Sequence, residues 1–283
     1  MSHTAPHLSA WVEGVGIVAP GLADAQQARA VLRGEQAHAL SPTALPAPEL
    51  LPAAERRRAS RIVKAALAAG LQACRMAGRE PASLANVFAS SGGDGHNCHA
   101  LCAQLASGDT RISPTRFHNS VHNAASGYWS IATGATPAAQ VLGAHDGSFA
   151  AGLLEAMTQV ATSGAPVLLV AADSEYPAPL HAKRPIADTS ALALVLAPAP
   201  GPRALAELRI ACRGALADGT PDATSARAAC DMPPLRGLPL LAALWSPGGG
   251  AREVALEYLP PQVLRVQVRP LPAAVAAADM PAP

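Results

Sequence analysis

Two patterns of apolar spacing take turns along most of the chain. Residues 11–18 (WVEGVGIV) are short, β-branched and followed by Ala-Pro-Gly, which predicts a strand and its exit turn. Residues 23–33 then predict a helix. Residues 39–52 carry four prolines and read as a connecting loop, because proline fixes φ and removes a backbone donor. In residues 51–78, Ile62, Ala66, Ala69, Ala73 and Met76 recur at helical spacing while Arg and Glu take the other face. One long helix is expected there, stopped by Gly78.

The second quarter repeats the alternation. Residues 85–89 (ANVFA) predict a buried strand, 90–95 (SSGGDG) a tight turn, and a helix is expected from there to Leu105. A loop is expected at 107–114 and a helix at 123–131, with Gly127 allowing close backbone approach. A short buried strand is expected at 138–142 and a helix from Ser148 to Ser163. Residues 166–172 (PVLLVAA) form a continuous apolar run of the kind buried on both faces of a sheet. Residues 191–197 and 205–212 read as further strands. This order predicts an α/β fold with a largely parallel sheet covered on both sides. Residues 214–250 are loop-rich, with a short helix at 238–244. Strands at 254–258 and 264–268 alternate apolar and polar positions, joined through Leu259-Pro260-Pro261. The Ala/Pro-rich residues 271–283 are expected to fray.

Composition narrows the class. At 283 residues and 50% hydrophobic, the chain can bury a substantial core, which excludes intrinsic disorder. Aromatics make up only 3%, so Ala, Leu and Val must build that core. A formal net charge of +1 gives no long-range field. Arg56-Arg57-Arg58 and Arg61 read as a solvated helix face, without the aromatic interleaving that would suggest nucleic-acid binding. Cys74, Cys98, Cys102, Cys212 and Cys230 are odd in number and scattered, which fits a reducing compartment. With no apolar run long enough for a bilayer and no signal-like N-terminus, a cytoplasmic protein is expected, with no membrane insertion.

Candidate chemistry concentrates in residues 117–156, which hold His118, His122 and His145 and the Tyr128-Trp129 pair. A turn between strand and helix, where helix-terminal N–H groups can stabilise negative charge, is a common place for a nucleophile. Here the turn reads His145-Asp146-Gly147. Asp146 could act as a nucleophile, or Ser148 could do so with His118, His122 or His145 as base. Against this, Ser148 would cap the following helix and Asp146 would complement its macrodipole. Gly14 and Gly16 lack the third glycine of a dinucleotide fingerprint. His96, Cys98, His99 and Cys102 lie within seven residues on one helix, whereas zinc ligands come from separated pairs. No metal and no cofactor is expected.

Taken together, VEGVGIVAPG, the SSGGDG turn, SPTRFHNSVHNAASGYWSIATG and GAHDGSFAAGLLEA resemble the β-ketoacyl synthases, condensing enzymes of the thiolase-like fold. The resemblance implies a layered α/β/α fold, with residues 1–200 as a complete N-terminal half and 201–283 as a shortened portion completing the same domain. The position of the family's catalytic cysteine falls on Asp146, or on His145 if the register slips by one. The family's second-half histidines and lysine have no counterpart, since no histidine follows His181 and no lysine follows Lys183. The resemblance therefore implies a non-catalytic, chain-length-factor-type subunit, similar to those of aryl polyene pathways. Its partner would be a full-length ketosynthase in a heterodimer, with acyl carrier protein involved indirectly. Asn97, His99, Phe117, His118, His122, Asn123 and Tyr128 are the implied tunnel or interface residues.

Overall fold

The computed structural model describes residues 6–212, 214–224, 226–227 and 231–272. Cys230 and nearly all of the expected frayed tail at 271–283 lie outside the described residues.

A single nine-stranded sheet organises the chain, in the order β3-β2-β4-β5-β1-β6-β9-β7, with β8 paired to β9. Its strands are β1 (His7–Val18), β2 (Ala85–Ala89), β3 (Ala139–Leu142), β4 (Val167–Asp173) and β5 (Ser190–Ala197), then β6 (Ala206–Ala211), β7 (Leu216–Asp218), β8 (Arg252–Glu257) and β9 (Gln262–Pro270). The expectation of a largely parallel sheet is corrected. Among the described residues, only β2 with β3 and β2 with β4 run parallel; the other strand pairs are antiparallel. Parallel neighbours need long crossovers, and the later strands follow one another through loops and short connections instead.

Continuous apolar strands arise because both faces of the sheet are covered. In β4, Val167, Leu169 and Ala171 face one core while Leu168, Val170 and Ala172 face the other. In β5, Leu192, Leu194 and Leu196 alternate in the same way with Ala191, Ala193 and Val195. The first core is closed by helices α1 (Ala25–Leu32), α7 (Ser148–Ser163) and α9 (Leu238–Leu244). The second is closed by α3 (Arg61–Ala77) and α6 (Ala124–Thr133).

Alanine-rich α3 lies close enough to β1 that a Cβ on Gly14 would sit 2.0 Å from the Ala73 carbonyl oxygen. On Gly16 it would sit 1.9 Å from that of Ala69. These glycines therefore serve helix–strand packing. The α3–α6 contact needs Gly70, where a Cβ would meet the Trp129 ring at 2.6 Å. Gly127, expected to allow close approach, instead faces open space.

Three boundaries moved. The single helix expected at 51–78 is two, α2 (Ala53–Arg58) and α3, separated by extended Ala59 and Ser60. The segment after the 107–114 loop holds a further helix, α5 (Pro114–Ser120), started by a Ser113 cap and Pro114. Strand β3 is not buried: it is the sheet's edge, and Ala139 and Gln140 are exposed. The remaining helices are α4 (Gly95–Ala106) and α8 (Ala178–His181). Among the described residues no helix is long and apolar enough to cross a membrane.

Candidate functional site

The turn between β3 and α7 is built as a sharp corner. His145 is the only non-glycine among the described residues with positive φ, at 52°, so the strained apex falls on it. Its side chain is 71% exposed. Ser148 does not cap α7 as expected. It is the first helical residue, only 1% exposed, and its hydroxyl donates to the His145 carbonyl at 2.7 Å. The same oxygen accepts from the Ala144 N–H at 3.0 Å. Both roles of that hydroxyl are taken by the turn itself. Gly147 completes the corner, since a Cβ there would fall 1.8 Å from the carbonyl oxygen of Tyr258, just beyond β8.

Asp146 points inward to a cluster of arginines. Its Oδ1 accepts a short hydrogen bond from Arg184 Nη2, and Arg236 Nη2 stands 3.6 Å from its Oδ2. Arg236 also pairs with Asp231 at 2.9 Å and Glu257 at 2.7 Å, and Arg227 joins Glu257 at 3.0 Å. Arg184 reaches further still, donating from Nη1 to Ser91 Oγ at 2.9 Å and to the Tyr176 hydroxyl at 3.3 Å. Ser91 in turn donates to Asp173 at 2.7 Å. Burial raises the Asp173 carboxyl to about 6, against the opposing hydrogen bonds of Ser91 and Ser90. Burial also raises Glu257, with Arg227 acting in the opposite direction. A carboxylate held by two guanidiniums is a weak nucleophile, and its own charge would repel an oxyanion.

Nothing in the sequence flagged this network. Arg184, Arg236, Glu257 and Arg227 are far from Asp146 along the chain, and isolated arginines carry no motif.

The other anticipated residues fall into separate places. Asn97 donates its amide to Asp94, the N-cap of α4, at 2.6 Å, and shares a surface cleft with His99. Phe117 is 61% exposed on α5, with Val121 at 42% nearby in sequence. His118 packs edge-on against Tyr128, with ring centroids 5.7 Å apart, but Tyr128 itself is fully buried. His122 donates from Nε2 to the Ser90 carbonyl at 3.0 Å, which ties the α5–α6 link to the turn after β2. Asn123 is exposed at the start of α6 and makes no side-chain cap. Thus the structure brings Asn97 together with His99, and His118 with Tyr128; it does not gather all seven. None of the three histidine rings hydrogen-bonds to Ser148 or Asp146; the nearest, His145 Nδ1, stands 3.7 Å from Asp146 Oδ2.

Arg61 is 44% exposed, as a solvated helix face implies, and it also pairs with Glu175 at 2.8 Å and Asp188 at 2.7 Å, fixing the start of α3. Cys98 and Cys102 are exposed on α4, and among the described residues no three His, Cys, Asp or Glu side chains gather as metal ligands.

The fold, a mixed sheet with helices on both faces and a sharp strand-to-helix corner, is thiolase-like, as the following matches show. The family model for the beta-ketoacyl synthase N-terminal domain matches residues 31–236, and the chain belongs to that family. Among solved structures, the complex of the ketosynthase ApeO with its chain length factor ApeC from Xenorhabdus doucetiae is similar at 23% identity and a TM-score of 0.68. That match covers 93% of this chain and 99% of the matched chain. The complex of the type II PKS acyl-carrier protein AntF with its ketosynthase AntDE matches at 13% identity and TM-score 0.71, over 94% and 100% of the two chains. A beta-ketoacyl synthase from Burkholderia phymatum matches at 16% identity and TM-score 0.51, over 66% of this chain and 58% of its own. No curated protein sequence matches the chain.

Proposed function

We propose that this chain is a non-catalytic, chain-length-factor-type subunit of a β-ketoacyl synthase complex. It pairs in the cytoplasm with a full-length ketosynthase and shapes that partner's acyl tunnel, in a polyketide or aryl polyene-like pathway. Residues 1–200 and 201–283 act as one domain in this role. The observation that carries the reading is Asp146 held by Arg184 and Arg236 at the corner where the family places its cysteine. Whichever of His145 and Asp146 occupies the nucleophile position, neither is a thiol, and the one serine at the corner has its hydroxyl committed to the turn.

An exposed edge strand β3, with Phe117 and Val121 also exposed, offers unpaired backbone groups and apolar contacts for a partner. The test is co-expression with a ketosynthase from the same gene neighbourhood. A stable heterodimer is expected, and product formation by it should survive Asp146→Ala. Changing the bulk of Asn97, His99 or Phe117 should alter product length. A chain that stays monomeric with every neighbouring ketosynthase, or ester or thioester turnover by the isolated chain that Asp146→Ala abolishes, would falsify the reading.

A further inference from the structure

A second site lies apart from the corner. The first turns of α4 (His96, Asn97 and His99), Arg116 on α5, Arg61 and Ser174 surround a cleft of about 420 Å³. That volume lies within the range of small-molecule sites. Its acids are already engaged. Asp94 accepts from the Asn97 backbone N–H at 3.0 Å and from its side chain at 2.6 Å. Glu175 pairs with Arg61 through one oxygen and accepts from the Thr189 hydroxyl through the other.

The uncommitted groups have hydrogens to give. Arg116 pairs with no acid among the described residues and is exposed on the rim. Ser174 is 3% exposed, lines the cleft, and its hydroxyl has no hydrogen-bond partner. The Ser60 hydroxyl, also in the lining, is likewise buried without a partner. A buried hydroxyl left without a partner is costly, so a water, an ion or a ligand oxygen that accepts from it is favoured there. His96 and His99 each add one ring N–H in the neutral form. A planar guanidinium beside several O–H and N–H donors matches the oxygens of a carboxylate or phosphate.

We infer that this cleft binds an oxyanion, a carboxylate or phosphate group, through Arg116, Ser174 and Ser60. Anion binding as such concerns the isolated chain, and only the carrier-arm source rests on the proposed function. Two sources share the chemistry: the free carboxylate end of a small acid, and the phosphate of a carrier arm.

The experiment is titration calorimetry on the full chain with adipate, inorganic phosphate, pantetheine and phosphopantetheine. Arg116→Gln is expected to weaken anion binding at least tenfold and Ser174→Ala severalfold. Arg252→Gln, an exposed arginine on β8, is expected to change nothing. Phosphopantetheine binding more tightly than pantetheine would place a carrier phosphate in the cleft; adipate binding without phosphate would place an acid's carboxylate there. The inference fails if no anion binds the wild-type chain. It also fails if all three variants lose binding equally, which would indicate general charge attraction only. Arg116 is exposed, so its variant is expected to fold normally, and an unchanged melting curve checks this.

Discussion

At the scale of single residues, the corner holding Asp146 is defined by its neighbours' charges. Arg184 is only 18% exposed and Asp146 28%, so removing one partner leaves the other poorly solvated. Arg184→Ala is expected to lower stability by about 2–3 kcal/mol, less than for a fully buried pair because water reaches both groups. The double variant with Asp146→Ala should lose less than the sum of the single changes, because the unpaired charge is then gone. Urea unfolding of the four proteins in the cycle measures this coupling.

Asp173 gives a pH signature. Its folded-state pKa, about 6, lies above the ordinary 3.8, so the folded chain keeps a proton that the unfolded chain releases. Stability from this group is present at the acid end and is lost as pH rises through about 6. The shift of about two units corresponds to roughly 3 kcal/mol between the two limits. Asp173→Asn cannot ionise, so its stability relative to wild type is expected to climb between about pH 4 and pH 7. Denaturation midpoints of both proteins across that window would show it; a constant difference would contradict it.

At the scale of elements, the β1–α3 contact tolerates little added bulk. Gly16→Ala is expected to destabilise by roughly 3 kcal/mol, because the added methyl meets a helix carbonyl that cannot move without shifting α3. Gly127→Ala should do the reverse. Its helix position is open, so replacing glycine is expected to stabilise the isolated chain by up to about 1 kcal/mol. Thermal melts of the two variants, compared with wild type, should move in opposite directions.

At the scale of the molecule, the proposed pairing would cover the edge strand and the exposed apolar side chains. Phe117→Ser is expected to weaken capture of a ketosynthase partner at least tenfold while leaving the melting temperature unchanged. Exposed aromatic anchors contribute to binding without contributing to the core. Affinity measured on immobilised partner, beside a melt of the free variant, separates the two effects.

The pattern of apolar spacing was enough to locate most of the strands and helices, although it missed α5, α8 and β7. Buried β4 and β5 read as unbroken apolar runs, and α7 begins and ends where its periodicity does. The pattern could not specify strand direction, because the same run serves a parallel or an antiparallel neighbour. It also merged α2 with α3, since helical spacing continues across Ala59 and Ser60 while the backbone there is extended.

The sequence by itself determined the family, the absence of a cysteine at the corner, and the absence of histidine and lysine in the later part of the chain. These are identities at positions along a line, and folding does not alter them. Only the tertiary structure decided what surrounds Asp146. Arg184 comes from beyond β4 and Arg236 from the turn before α9, and charges that distant along the chain meet only when the sheet brings both ends of it to one corner. The same holds for the cleft beside α4, which Ser174 and Arg116 come to line through packing alone.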